Sequence, residues 1–374
     1  MTGPSAPGPA LTDEPEPSAR HAGAVGEGLP RTRLATLPTP LLPAPRLSEA
    51  VGVEVWIKRD DMTGLGLGGN KARKLEFLCG EALARGADTL VTGGGSGSNH
   101  VQLTAAAAAR LGLGCVAVCY GTDPAPAEPA TAGPGAGPSS GSATAALGLR
   151  LTRRFGADVI FTGSPDRTSV DAGLEEVAAK LAAEGRVPYV IPRGGASAVG
   201  AVGYAVAAAE LSDQLASAGL AAVTLLVATG SCGTQAGLLA GAAMAGAPYE
   251  VIGVTVSRPA AESRERVRAL AAGAAEIAGE GTGAGPAAIP EPNVLGGWLG
   301  PGYGIPSADG RAAARLVAAA EGVFLDPTFG AKAMAALIAE CRAGRVRGTQ
   351  VFLVSGGAPT LFTSAFTAAG DGPL

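Results

Sequence analysis

A glycine-dense loop, Thr63-Gly-Leu-Gly-Leu-Gly-Gly-Asn70, runs straight into Lys71-Ala-Arg-Lys-Leu-Glu-Phe77, a segment of helical character. Lys71 therefore stands at a helix start, with its amine against backbone and few bulky neighbours. Two ligand chemistries suit such an amine: a phosphate, cradled by backbone N–H groups, or a carbonyl cofactor that the amine attacks. Gly64-x-Gly66-x-x-Gly69 formally meets a dinucleotide-binding pattern with Asp88 downstream, although a loop this rich in glycine meets it easily. A Walker loop is excluded, because Gly-Lys-Ser/Thr is absent. Alone, Lys71 also reads as an ordinary solvated lysine of a first helical turn.

Three further loops are rich in glycine and small hydroxyls. Gly93-Gly-Gly-Ser-Gly-Ser-Asn-His100 precedes a helical run and offers backbone N–H groups to a carboxylate; Ser98 or Asn99 could equally be a plain helix cap. Thr229-Gly-Ser-Cys-Gly-Thr234 opens another helical run. Its small residues let backbone approach a dianion, with the Ser231 and Thr234 hydroxyls as extra donors, and here too a simple cap is the competing reading. Ser355-Gly-Gly-Ala-Pro359 follows the last strand-like run. Four such loops, one with a lysine, point to a sizeable phosphorylated cofactor.

The elements that must hold these loops alternate between strand and helix patterning. Strands are expected at Val53–Lys58, Thr89–Thr92, Cys115–Tyr120, Val159–Phe161, Tyr189–Ile191, Val223–Ala228, Val251–Val256, Val323–Leu325 and Val351–Val354. Helices are expected at Lys71–Arg85, Val101–Leu111, Ser169–Glu184, Gly200–Ala216, Thr234–Ala245, 309–321 and Ala331–Arg342. Repeated βα units predict an α/β fold with mostly parallel sheets flanked by helices, and ligands at the carboxyl ends of the strands. Residues 1–29 read as a disordered tail, 121–146 as a low-complexity loop and 279–292 as a second loop.

Composition narrows the function. The 374 residues are 47% hydrophobic and 16% charged with net charge −4, enough for two domains and a large core. Scattered basic residues give no nucleic-acid surface. No uninterrupted apolar run has transmembrane length, so no membrane partner is expected. An N-terminus without a signal-like apolar segment points to the cytoplasm. Five cysteines in so long a chain do not form a disulfide framework; Cys115 and Cys119 share one face of a strand as small buried hydrophobes. With only His21 and His100, neither a histidine metal site nor a Ser-His-Asp hydrolase is expected.

Gly68-Gly-Asn-Lys-Ala-Arg-Lys-Leu-Glu-Phe77, Ser98-Asn-His100, Gly230-Ser-Cys-Gly-Thr234, Pro301-Gly-Tyr-Gly-Ile-Pro306, Leu325-Asp-Pro327 with Lys332-Ala-Met334, and Gly356-Gly-Ala-Pro359 occur in that order. Together they resemble the D-cysteine desulfhydrase / 1-aminocyclopropane-1-carboxylate deaminase family, from about residue 35 to 365. These are fold-type II, tryptophan synthase beta-like enzymes of pyridoxal 5'-phosphate. The resemblance implies that Lys71 bonds to the cofactor aldehyde and shuttles the substrate Cα proton. It implies that Asn99 meets the phenolic oxygen, that Ser98, Asn99 and His100 clasp the substrate carboxylate, and that Ser231, Cys232, Gly233 and Thr234 form the phosphate cup. Tyr303 matches an active-site tyrosine. Ser355 matches the position facing the pyridine nitrogen, where a neutral serine leaves the ring largely unprotonated and favours β-elimination or replacement. A homodimer is implied, as is a division into a larger domain (30–79 with 196–374) and a smaller inserted one (80–195) with the cofactor between.

Three positions depart from the family pattern. Phe329 replaces a tyrosine at the substrate, Gly330 replaces a glutamate or threonine, and Gly97 stands where glutamine is usual. A less acidic, roomier pocket follows. Losing a phenol removes a general acid or base worth roughly 10²–10⁴-fold where it operates. Opening a cyclopropane needs that help more than expelling a thiolate, whose conjugate acid has a pKa of about 8.5. The expected activity is α,β-elimination from a small β-substituted amino acid, with D-cysteine giving pyruvate, ammonia and sulfide. The alternatives are a cyclopropane-carboxylate deaminase, a β-replacement synthase or racemase, and a non-catalytic cofactor-binding protein.

Overall fold

The structure, a computed structural model, describes residues 25–123, 140–247, 249–280 and 288–362. In chain order the elements are β1 (Leu41–Pro43), α1 (Pro45–Val51), β2 (Val55–Lys58), α2 (Lys71–Ala84), β3 (Thr89–Gly94), α3 (Asn99–Leu111), β4 (Gly114–Cys119), α4 (Ser140–Arg154), β5 (Asp158–Phe161) and α5 (Ser169–Ala183). They continue with β6 (Pro188–Ile191), α6 (Ala198–Ser217), β7 (Val223–Thr229), α7 (Gly233–Ala245), β8 (Tyr249–Thr255), α8 (Ala260–Gly279), β9 (Asn293–Leu295), α9 (Ala308–Glu321), α10 (Gly330–Arg342) and β10 (Gln350–Leu353). One sheet has the order β1-β2-β10-β7-β8-β9, the other β5-β4-β3-β6. Every pairing is parallel except β1 with β2.

A parallel sheet is buried on both faces, so its central strands are apolar throughout. In β7 the side chains of Leu225, Leu226 and Val227 are all buried. Leu226 joins a core with Leu337, Met334 and Val317 of α10 and α9. Leu225 and Val227 join the opposite core with Ala236, Leu239 and Leu211 of α7 and α6. Around the smaller sheet, Leu90 and Cys115 pack with Leu75, Leu78 and Leu103 of α2 and α3, while Val91 and Val118 pack with Val170 and Leu174 of α5.

The position of α2 matters most, because it carries Lys71. A side chain at Gly203 of α6 would put its Cβ 2.2 Å from the Arg73 carbonyl oxygen, so only glycine lets the two helices touch there. A buried ionic network fixes the same contact. Arg73 binds Asp60 (2.9 Å) and Glu210 (2.8 Å), Lys58 also pairs with Glu210, and the Tyr204 hydroxyl donates to Asp60 at 2.5 Å. Two cations face two carboxylates, which is the condition for ionic groups to be tolerated in a core. On the next face, Glu76 accepts the N–H groups of Leu34 and Ala35, both at 2.9 Å, and ties the incoming chain to α2.

Several expectations need correction. Ser140–Arg154 is helix, overlapping the loop expected over 121–146; residues 124–139 lie outside the described residues. Low-complexity composition masked a helix whose Leu149 and Thr152 are buried. Ala260–Gly279 is a helix not anticipated, and its buried Ser263, Val267, Ala271, Ala274 and Ala278 recur at helical spacing with mostly small side chains. Val323–Leu325 pairs with no strand among the described residues. Its alternation is real, with Val323 and Leu325 buried and Phe324 exposed, but period two reports side-chain facing and not hydrogen-bonded partners. Val25, within the expected tail, is buried beside Phe77 and Val202; residues 1–24 lie outside the described residues. Elements β1, α1 and β9 were also not anticipated. Among the described residues, the segment Arg193–Ser217 is long and apolar enough to cross a membrane. It contains α6, which is packed against α2, α7 and α8.

Candidate functional site

Five loops meet at the carboxyl ends of the strands: those leading to α2, α3 and α7, the Arg193–Gly195 turn after β6, and Ser355–Gly357 after β10. The loop before α2 is pinned on both sides. Thr63 Oγ1 accepts the Gly69 N–H at 2.8 Å and donates to the Gly69 carbonyl at 2.9 Å, while the Asn70 N–H donates to the Ser355 carbonyl at 2.9 Å. Gly69 and Gly356 form a β-bridge. A Cβ on Gly356 would fall 2.5 Å from the Gly69 Cα, so the two chains can run together only as glycine against glycine.

Lys71 is the first residue of α2, and its Nζ donates to the Gly194 carbonyl at 3.2 Å. Burial pulls its pKa down to about 8, so about one amine in ten is neutral and nucleophilic at pH 7, far more than at the ordinary lysine value. The same turn abuts Ser231: a Cβ on Gly194, whose φ is +72°, would lie 2.6 Å from the Ser231 Cβ. Lys71 and the Ser231–Thr234 loop, 160 residues apart at their nearest, thus share one wall. Asn70 Nδ2 donates to Thr234 Oγ1 at 3.0 Å and closes the connection.

Cys232 caps α7 with φ +75°. A non-glycine residue in that region costs on the order of 1 kcal/mol or more, and the conformation turns successive N–H groups into one concavity. Gly233 and Thr234 begin α7, where N–H groups have no intrahelical partner. The strongest sign of a missing anion is Lys74. Its side chain is fully buried, its Nζ has the Lys71 amine as neighbour but no oxygen acceptor among the described residues, and that Nζ lies 2.8 Å from where a Gly233 Cβ would stand. Burial, and then the adjacent Lys71, hold its pKa well below the usual lysine value. A counter-anion would complete this amine, favouring its charged form and supplying the missing acceptor, and a phosphate ester fits. The residues present therefore fit pyridoxal phosphate: amine for the aldehyde, cup and Lys74 for the phosphate.

Of the other expected site residues, Ser98 caps α3, accepting the Val101 N–H at 3.5 Å. Asn99 projects its Nδ2 to within 2.9 Å of the Gly69 Cβ direction, beside the Lys71 loop. Ser355 is buried there and supplies the carbonyl that holds Asn70. The His100 imidazole packs beside the Gly194–Gly195 turn. It is buried, with Nε2 3.0 Å from Thr92 Oγ1 and its ring against Gly195 and Leu78; burial and the charges of Lys71 and Lys74 keep it neutral. Only its backbone N–H, in the first turn of α3, suits a carboxylate.

Tyr303 and Phe329 meet edge to face, ring centres 6.1 Å apart. The Phe329 ring lies 3.5 Å from where a Gly230 Cβ would stand, at the entry to the phosphate loop. Asp326 builds this corner: its carboxylate accepts the N–H groups of Thr328 (3.0 Å), Phe329 (2.7 Å) and Gly330 (2.8 Å) and so starts α10. Burial raises its pKa to about 6. The Tyr303 loop is held from below by Lys332, whose Nζ donates to the carbonyls of Leu299 (2.7 Å) and Gly302 (2.9 Å). Sequence reasoning missed the roles of Lys74, Asp326, Lys332 and the Gly194 turn. Lys74 had a signal, since it follows Lys71 by three residues and shares its helix face; the others depend on chain crossings that spacing does not reveal.

This fold and site define a pyridoxal phosphate enzyme. A family model for "Pyridoxal-phosphate dependent enzyme" matches residues 32–356, and the chain belongs to that family. Among similar curated proteins is the D-cysteine desulfhydrase of Salmonella paratyphi C, 43% identical over 336 residues, covering 89% of this chain and 95% of that protein. The D-cysteine desulfhydrase of Klebsiella pneumoniae is 42% identical over 338 residues, again covering 89% and 95%. Among solved structures, an ACC deaminase homologue superposes with a TM-score of 0.77 at 32% identity, covering 92% of this chain and 96% of that one. O-ureido-L-serine synthase, at 17% identity and a TM-score of 0.60 over 91% and 95%, shares the fold.

Proposed function

We propose that this enzyme is a lyase that performs α,β-elimination on a small β-substituted amino acid, with D-cysteine as the reference substrate. The observation that carries the reading is the joint placement of Lys71, with its lowered pKa, and the buried Lys74, with no oxygen acceptor among the described residues, against the Ser231–Thr234 loop. Similarity to D-cysteine desulfhydrases over 89% of the chain supports the substrate class. Bound pyridoxal phosphate supplies an aldehyde that captures the substrate amine and a conjugated ring that stabilises negative charge at Cα.

The chain's own residues do the rest. Lys71 holds the cofactor between turnovers and takes the Cα proton once the substrate amine displaces it. Ser98, Asn99 and the N–H of His100, at the start of α3, orient the substrate carboxylate. The Ser231–Thr234 cup, Asn70 and Lys74 anchor the phosphate. Ser355 faces the pyridine nitrogen as a neutral group. Tyr303, braced by Lys332, stands over the substrate as the phenol of the site, and Phe329 excludes water beside it. Overall, D-cysteine and one water give pyruvate, ammonia and hydrogen sulfide. We place the reaction in the cytoplasm, in a homodimer, with no membrane partner and with the cofactor between a smaller domain (80–195) and the remainder; the second sheet's strands, all between Thr89 and Ile191, support that division.

Purified protein should be yellow and release pyruvate and sulfide from D-cysteine in equal amounts. Lys71→Ala should lose the lysine-bound chromophore and the activity together. The second reading is a cyclopropane-carboxylate deaminase, favoured by the ACC deaminase homologue and opposed by Phe329 and Gly330. Formation of 2-oxobutyrate from that substrate, with no pyruvate from D-cysteine, would reverse the choice.

A further inference from the structure

Arg167 lies in the turn between β5 and α5, at the carboxyl end of the smaller sheet. Its guanidinium carbon stands 4.7 Å above the centre of the Tyr303 ring. A contact path leads from it to the catalytic lysine: Tyr303 on Phe329, Phe329 on Gly230, Ser231 on Gly194, and Gly194 on Lys71. Arg167 is therefore at the far end of the same wall from Lys71.

Its charge balance is unlike that of its neighbours. Arg193 and Arg258 also act on the Tyr303 phenol, whose pKa burial and Tyr120 raise and whose three arginine neighbours pull back. Arg193 is bound to Asp171 at 2.6 Å, and Arg258 to Glu262 at 3.2 Å. Arg167 has no carboxylate within ion-pair distance among the described residues; neighbouring Asp166 accepts the Thr168 N–H at 2.9 Å instead. Stacking on an aromatic face occupies the plane of a guanidinium but leaves its N–H donors free at the edges. The charge of Arg167 acts on the neighbouring Asp166 carboxylate without an ion pair between them among the described residues, so the mouth carries a pre-oriented cation with a fork suited to an oxyanion.

We propose that Arg167 is a specificity-determining residue that engages an anionic group carried on the substrate's β-substituent. This rests on the elimination reading above and names its preferred substrate class: β-substituted amino acids whose leaving group bears a sulfonate, phosphate or carboxylate. For S-sulfo-D-cysteine the Cα–H and Cβ–S bonds break and the electron pair of the Cβ–S bond leaves with thiosulfate. One water converts the remainder to pyruvate and ammonium, with release of a proton.

The test compares S-sulfo-D-cysteine with uncharged β-chloro-D-alanine on holoenzyme, reading both pyruvate release and the dissociation constant from the shift of the bound cofactor's absorbance. A charged hydrogen bond is worth about tenfold or more in binding. In Arg167→Met the anionic-over-neutral ratio of kcat/KM should fall at least tenfold, Arg167→Lys should restore part of it, and added salt should lower the wild-type ratio. An unchanged ratio in Arg167→Met overturns the proposal. If neither compound yields pyruvate, the elimination reading fails, and the ratio of dissociation constants still decides Arg167.

Discussion

Replacing Lys74 by methionine should shift two measurements in opposite directions. In the apoprotein its amine is buried beside Lys71 with no oxygen acceptor among the described residues, a penalty of about 1–3 kcal/mol for an unsatisfied polar group. Methionine keeps the unbranched bulk and removes the polar atom, so the apoprotein should become more stable by a similar amount. For a domain of 150–250 residues each kcal/mol moves the Tm by about 2–4 °C. Cofactor binding should weaken, because the phosphate loses a charge-assisted hydrogen bond worth about 1.5–3 kcal/mol, or roughly 10–150-fold in Kd. Apoprotein made by displacing the cofactor would be followed by thermal unfolding, then titrated with pyridoxal phosphate by fluorescence. The same titration in a Lys71→Ala background isolates the noncovalent part. A lower apoprotein Tm together with an unchanged Kd would refute the assignment of Lys74 to the phosphate.

Capture of the cofactor by apoprotein should accelerate as pH rises through about 8, the depressed pKa of Lys71, and level off above it; stopped-flow absorbance reads the rate. The sign for stability agrees: between about 8 and the ordinary lysine value the unfolded chain binds more protons than the native one, so this group makes the apoprotein more stable as pH rises through that window. Gly194→Ala should weaken cofactor binding tenfold or more, because its Cβ would meet Ser231 at 2.6 Å in a backbone with φ +72°; reconstitution titration tests this. Lys332→Met should raise KM for D-cysteine more than it lowers kcat, since the Tyr303 loop loses both carbonyl anchors. Steady-state kinetics with a thermal scan separates that from simple unfolding.

The glycine loops were legible in the sequence because they obey local rules: small residues at the entry to a helix, after an apolar strand. Eight of the strands expected from patterning coincide with paired strands, but Val323–Leu325 does not, because alternation records which side chains are buried and says nothing of who accepts the N–H groups. Helix α4 escaped because its first half, residues 140–146, continues the Pro/Gly/Ser/Ala composition of the preceding run, and α8 because its buried stripe is made mostly of small side chains. At the site, Lys71 and the Ser231–Thr234 loop could be named from their sequence, whereas the burial of the His100 imidazole and its contact with Thr92 could not.

The family resemblance supplied the proposed phosphate-cup role and the replaced phenol at Phe329, whereas the sequence by itself determined an amine after a glycine loop and further small-residue loops at helix starts. These are matters of residue type and of spacing within a turn or two, which chain geometry constrains directly. Only the tertiary structure decided which groups share a space. It set Lys71 against Gly194, left Lys74, beside Gly233, without an oxygen acceptor among the described residues, braced Tyr303 on Lys332 and laid Arg167 across the Tyr303 ring. Those contacts arise from parallel strands bringing distant loops to one sheet edge, and a pKa or an unpaired charge has no meaning until that edge is assembled.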